Sequence, residues 1–147
     1  MTLRRARAED APALTTLVYV SKQSNGYDDA FMAACADELR VTSDQIAETD
    51  FFVVQNADDA LIGCACLTHA GEIEKVFVHT DHKRQGVGRL LWTALRDAAQ
   101  ARGLTELTLD ADPEAVPFYT ALGFSIIGES PSGSIPGRVL PQMALRL

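Results

Sequence analysis

Lys83-Arg84-Gln85-Gly86-Val87-Gly88 places two glycines, with Lys83, Arg84 and Arg89 close by, between an apolar run, Val76-Phe77-Val78, and a helical pattern. Glycine lets a ligand come close to the backbone. The first N–H groups of a helix have no partner within it. With the positive end of the helix dipole they can hold a phosphate or pyrophosphate. Two other phosphate-binding patterns fail here. A dinucleotide fingerprint needs a third glycine where Leu91 stands, and the chain has no Gly-x-x-x-x-Gly-Lys-Ser/Thr segment. Alone, Gly-x-Gly fits an ordinary helix start equally well.

Other residues that could do chemistry flank this loop. By the strand period of two, Glu72 and Glu74 fall on one face with Val76 and Val78. Neighbouring carboxylates raise one another's pKa, which suits a base working near neutrality; an isolated pair on a strand also fits a solvated face. His79 is a third candidate base and equally a loop residue. Tyr119 lies on a short helix whose Ala115, Phe118 and Leu122 share an apolar face, with Tyr119 on the flank. Cys64 and Cys66 share a strand face, but no second Cys/His pair completes a metal site. They read as small buried hydrophobes, and no metal is expected.

These residues need a mixed α and β frame. Leu3–Ala6 is a short extended candidate, and Glu9-Asp10 opens a helix carrying Ala11, Leu14, Leu17 and Val18. A second helix is predicted over about Ala30–Leu39 and another over Ser43–Glu48, with Ser24-Asn25-Gly26 as the first turn. Phe51–Gln55 and Leu61–Thr68 read as a hairpin about Asn56–Asp59, and Glu72–Val78 as a third, central strand. Leu90, Leu91, Ala94, Leu95, Ala98 and Ala101 give the next helix an apolar face that stops at Arg102-Gly103. Leu104–Asp110 is a strand, Pro113 to about Ala121 a short helix, and Phe124–Ile127 and Gln142–Leu145 close the sheet.

The chain has 147 residues, which suits one domain over 1–147; 47% are hydrophobic and 22% charged. No apolar run is long enough to span a bilayer, and no signal-peptide core follows Met1, so a cytoplasmic protein is expected with no membrane partner. Three cysteines without a disulfide framework agree with a reducing compartment. A net charge of −7 argues against nucleic acid and is compatible with a cationic substrate. An anionic ligand would therefore depend on local donors.

The loop resembles the coenzyme A-binding motif of the GCN5-related N-acetyltransferase (GNAT) superfamily, (Arg/Gln)-x-x-Gly-x-(Gly/Ala), with Lys83 in place of the usual Arg or Gln. Ala115-Val116-Pro117-Phe118-Tyr119-Thr120-Ala121-Leu122-Gly123-Phe124 is similar to the Ala-x-x-Phe-Tyr-x-x-x-Gly-Phe segment of the same superfamily. The resemblance implies a mostly antiparallel sheet of six to seven strands with a splayed pair and about four flanking helices. It implies an acetyl-CoA-dependent N-acetyltransferase acting on a primary amine of a small molecule or peptide, with homodimers common among its members. The alternatives are a longer acyl group, or a non-catalytic acyl-CoA-binding sensor or interaction module.

The resemblance also implies roles. Val76, Phe77 and Val78 would line the pantetheine arm, a bulge would splay this strand from Leu104–Asp110, and a backbone N–H near Val78 would face the thioester oxygen. The segment Lys83, Arg84, Gln85, Gly86, Val87, Gly88 and Arg89 would hold the pyrophosphate, with Phe118 and Tyr119 also beside the cofactor. Asp110 stands where the family often has Asn; as a carboxylate it would only accept hydrogen bonds. Tyr119 would protonate the leaving sulfur, and Glu72 or Glu74 would serve as base. No Cys-His or nucleophile-elbow pattern is present, so transfer is expected to be direct. The acceptor would meet the first two helices and the loop Glu129–Arg138.

Overall fold

Each face of the first sheet is closed by a different set of helices. The computed structural model describes all 147 residues. Strands β1 (Thr2–Arg5), β2 (Asp50–Gln55), β3 (Leu61–Leu67) and β4 (Ile73–Val78) form an antiparallel sheet in the order β1-β2-β3-β4. Strands β5 (Glu106–Asp110), β6 (Ser125–Pro131) and β7 (Val139–Arg146) form a second in the order β5-β7-β6. The helices are α1 (Ala11–Gln23), α2 (Asp29–Leu39), α3 (Ser43–Glu48), α4 (Val87–Ala101) and α5 (Val116–Ala121). Together these make the mixed α/β architecture that the resemblance implies, with five helices where about four were expected.

Strands β2 and β3 are buried on both faces, so their alternation divides the core in two. Phe52, Val54, Ile62, Ala65 and Leu67 join the cluster under α4, with Val87, Leu91, Leu95 and Ala99. Phe51, Val53, Cys64 and Cys66 join the cluster under α1 and α2, with Leu14, Val18, Met32 and Cys35. The two thiols do share a face, as small buried hydrophobes, and burial pushes both up to about 12. Asn56 builds the β2–β3 turn, its Oδ1 accepting from the Asp58 and Ala60 N–H groups at 3.0 Å. Asp28 caps α2 by accepting from the Phe31 N–H (2.8 Å), and Thr42 caps α3 by accepting from the Gln45 N–H (3.1 Å). The far end of α4 is pinned to β2: Arg102 Nε donates to Asp50 at 2.6 Å and Arg5 Nη1 at 2.9 Å. The two guanidiniums, Arg102 foremost, hold the Asp50 carboxyl down at about 2.

The two sheets share the α4-side core but are bridged through the backbone at one place. Glu72 and Thr108 form a single parallel bridge, and the Thr108 N–H donates to the Gly71 carbonyl at 3.0 Å. Gly71 has φ +102°, and a Cβ there would stand 2.8 Å from the Glu106 carbonyl oxygen, so only glycine allows this approach. Beyond the bridge β5 pairs with β7 and leaves one edge of β4 bare. The splayed pair is thus β4 and β5.

Two local expectations are corrected. Strand β6 runs on to Pro131, so the loop is shorter than Glu129–Arg138, because β7 starts early enough to pair Val139 with Pro131. The alternation of β4 is also broken. Cys66 pairs with Lys75 but Leu67 pairs with Ile73, which leaves Glu74 as the extra residue of a bulge. Ile73 therefore packs in the α4-side cluster along with Val76 and Val78, three residues from Val76 rather than two. Glu72 does not share the face of Val76 and Val78.

Candidate active site

A cleft of about 700 Å³ runs through the splay between β4 and β5. On its β4 wall the His79 N–H donates to the Ile62 carbonyl at 2.8 Å, so His79 faces β3. Backbone groups alternate along a strand, so the N–H and C=O of Val76 and Val78 point the other way, into the splay. The Val78 carbonyl there accepts from Ser21 Oγ of α1 at 3.2 Å. Bare main-chain groups of this kind can pair with an extended, amide-bearing ligand as a missing strand would. Phe77 also lines the cleft, while packing against the α1/α2 cluster.

The β4 strand leads through a short turn, Thr80–His82, into the glycine loop. Arg84 (φ 66°) and Gly86 (φ 84°) are both left-handed and turn the chain sharply into α4. The first intrahelical bond of α4 runs from the Leu90 N–H to the Gly86 carbonyl at 3.0 Å, so the preceding amides at Val87, Gly88 and Arg89 are free of the helix. Lys83, Arg84, Gly86, Gly88 and Arg89 line the cleft mouth. The side chain of Val87 is buried in the core, which leaves its N–H as what it can offer a ligand. Gln85 sits outside the lining, its Oε1 3.1 Å from His82 Nδ1. A Cβ on Gly88 would lie 3.2 Å from the Phe118 ring, so α4 and α5 meet there in contact.

On α5 the two aromatics exchange the places expected of them. Phe118 is 37% exposed at the cleft, and Tyr119 is the buried one at 7%. Tyr119 packs edge to face against Phe118 (5.2 Å) and Phe124 (5.6 Å), and its carbonyl accepts from the Phe124 N–H at 3.0 Å. The Gly123 turn thus brings Phe124 back against Tyr119, and both rings join the α4-side core. No fully enclosed side-chain N or O atom lacks a hydrogen-bond partner. Tyr119 Oη has no partner in the protein, so it is not sealed in; it opens on the cleft that the residue lines. Burial raises its pKa well above the ordinary phenol value, so the hydroxyl holds its proton.

Three carboxylates stand at the narrow end of the splay: Glu72, Glu74 and Asp110 all line the cleft. Burial first, then the charges of Glu74 and Asp110, raise the pKa of Glu72. His79 lies outside the lining; its Nδ1 accepts from the Asp81 N–H at 3.2 Å and caps the turn before the loop.

A polar network on the α1/α2 side went unread in the sequence. Lys22 Nζ lies 2.5 Å from the Asp112 carboxylate, Tyr27 Oη donates to Asp112 at 2.9 Å, and Arg138 Nη2 donates to Tyr27 Oη at 2.8 Å. The Arg138 guanidinium also covers the stacked rings of Tyr27 and Phe31, 5.2 and 4.9 Å from their centroids. Ser134 hydrogen-bonds to Glu38 of α2. Together these strap the β6–β7 loop over one end of the cleft.

Comparison with known proteins identifies the family and the fold. Residues 16–145 match the family model described as an acetyltransferase (GNAT) domain. The peptidyl-lysine N-acetyltransferase YjaB of Salmonella typhimurium is 28% identical over 131 residues, covering 88% of this chain and 87% of that one. An uncharacterized N-acetyltransferase of Bacillus subtilis, YjcF, is 36% identical, but the match spans 40% of this chain and 42% of that protein. Among solved structures, a GCN5-related N-acetyltransferase from Rhodopseudomonas palustris superimposes with a TM-score of 0.85 at 25% identity, covering 99% of this chain and 95% of that chain. The PaiA N-acetyltransferase of Thermoplasma acidophilum, solved with coenzyme A, shares the fold with a TM-score of 0.81 at 17% identity, covering 99% and 98%. No helix is long and apolar enough to cross a membrane.

Proposed function

The chain belongs to the GNAT acetyltransferase family, and on that premise we propose that it moves the acetyl group of acetyl-CoA directly to a primary amine of a small molecule or peptide, with both substrates bound together. The observation that carries this reading is the unpaired edge of β4, Val76 to Val78, followed through the turn and glycine loop of residues 79–86 by the free amides at the head of α4. GNAT enzymes use acetyl-CoA, which when bound supplies an acetyl thioester and a thiol leaving group.

The residues present fit that group. The N–H and C=O of Val76, with the Val78 carbonyl, match the amides of a pantetheine arm. The Val87–Arg89 amides, with Lys83, Arg84 and Arg89, match a pyrophosphate, and this local set explains how a chain of net charge −7 would hold an anion. The Val78 N–H, fixed within a strand, is placed to donate to the carbonyl oxygen as charge develops on it. Tyr119 keeps a proton at Oη inside the cleft, ready for the departing sulfur. Glu72, its proton affinity raised by burial and like charges, takes the proton from the amine.

The test is calorimetric binding of acetyl-CoA followed by thiol release across a panel of amines, including lysine within a peptide, the acceptor class in the name of the Salmonella relative. Micromolar binding with turnover on some amine supports the reading. Binding without thiol release on any amine would assign the chain to a non-catalytic acyl-CoA-binding module. Turnover only with longer acyl-CoA donors would reassign the acyl group.

A further inference from the structure

Three polar or charged residues of this chain are buried: Ser21, Asp50 and Lys75. Two are accounted for, since Ser21 donates to Val78 and Asp50 accepts from Arg5 and Arg102. Lys75, 8% exposed, has one hydrogen bond, from Nζ to Gln45 Oε1 at 3.3 Å, and no carboxylate takes part. An ammonium at that depth has three donors to satisfy and is costly to leave without a negative partner.

Lys75 is also placed to meet a ligand. It lines the cleft, and with Glu38 and Glu74 it lines a side cavity of about 370 Å³ between α2, α3 and β4 that has no apolar residue in its wall. Glu38, Glu74 and Lys75 line both, so the two cavities adjoin at these side chains. The other charged residues of this arm (Glu38, Arg40, Asp44, Glu48 and Glu74) are exposed, where solvent and salt screen them. Lys75 is enclosed, so its field is the less screened. Because Lys75 pairs with Cys66, it lies on the α1/α2 side of the sheet, away from the α4 side on which Val76 and Val78 pack.

We propose that Lys75 forms a subsite for an anionic group, a carboxylate or phosphate, on the acceptor. The preferred acceptor is then an amine that also carries an anion, its amine toward Glu72 and its anion in the side arm. The proposal rests on the acetyltransferase reading for the amine and on Lys75 alone for the anion.

The experiment compares two pairs of acceptors, lysine against cadaverine and ethanolamine phosphate against ethanolamine. Each is tested for kcat/KM and for equilibrium binding to the coenzyme A-saturated protein, in wild type, Lys75→Met and Lys75→Arg. Wild type should favour the anion-bearing member of at least one pair by about tenfold or more, the ratio expected of one charge-assisted hydrogen bond. The pair that responds separates carboxylate from phosphate. In Lys75→Met the preference should shrink to within about twofold, with coenzyme A affinity and Tm kept, and Lys75→Arg should restore part of it. Binding preference without turnover would keep the subsite and remove the transferase reading. A wild-type preference for cadaverine and ethanolamine, or no binding of either anion-bearing amine, overturns the proposal whatever the variants do. So does a preference that survives Lys75→Met, which would leave Lys75 with its hydrogen bond to Gln45 and no part in recognition.

Discussion

Replacing Tyr119 with phenylalanine removes one oxygen and leaves the ring where it is. The edge-to-face contacts with Phe118 and Phe124 at 5.2 and 5.6 Å belong to the ring and persist. Tyr119 Oη has no partner within the protein, so its loss leaves no buried group unpaired. Stability should then change by no more than about 0.5 kcal/mol. Acetyl-CoA affinity should also hold, because the β4 edge and the α4 amides are untouched. Turnover is different. If Tyr119 supplies the sulfur's proton, kcat should fall roughly 10²-fold or more, equivalent to about 2.7 kcal/mol of barrier. The measurement is thiol release at saturating acetyl-CoA and acceptor, with calorimetric binding and a thermal melt on the same sample. Unchanged kcat with unchanged melting would refute the acid role, since the hydroxyl is the only thing missing. The same burial that raises the phenol's pKa means that no basic limb from Tyr119 should enter the profile below about pH 10.

Other changes separate the remaining roles. A base acts deprotonated, so the raised pKa of Glu72 should appear as the acid limb of kcat/KM. Glu74→Gln removes a like charge and should move that limb to lower pH, while Glu72→Gln should abolish the limb and most of the rate. Gly86→Ala adds a Cβ that meets nothing within 4 Å but sits at φ +84°, costing roughly 1–2 kcal/mol of stability in urea titration. Gly86→Asp has the same backbone cost and should in addition abolish acetyl-CoA binding, so retained binding would remove the loop from the pyrophosphate site. Asp50→Asn should cost about 1–2 kcal/mol in the same titration, by weakening the link from β2 to Arg5 and Arg102. Because the folded pKa of Asp50 is depressed to about 2, its contribution should be complete above about pH 4 and fade as pH falls toward 2, a loss absent from Asp50→Asn.

The sequence was most legible where a signal is local. Helix α3 begins and ends where the spacing predicts, because Thr42 caps it and Thr49 leaves helical geometry. The β2–β3 hairpin follows Asn56, and the glycine loop falls at a strand-to-helix junction because φ +84° at Gly86 needs glycine. What was missed depends on residues far apart in the chain. The Lys22–Asp112 and Tyr27–Arg138 contacts span 90 and 111 positions, and nothing near any one of them announces the other. The resemblance implies a bulge on this strand, but its place at Glu74 is set by how β3 and β4 align, so a strict period of two carried Glu72 to the wrong face. Phe118 and Tyr119 were exchanged because a helix pattern shows an apolar stripe but not which side the second sheet covers. Lys75 gave no signal at all; a lysine on a strand ordinarily reads as solvated.

The division of the core by β2 and β3 has a consequence for how such a chain can diversify. Residues 51 and 53 answer to α1 and α2, while 52 and 54 answer to α4, so the sheet insulates the two packings from each other. Substitutions that reshape one side should therefore combine with those on the other nearly additively. One side of the molecule can drift toward new chemistry while its opposite stays fixed. Grafting the α1–α2 segment of a relative onto this sheet should then leave the packing of α4 against β2 and β3 unchanged.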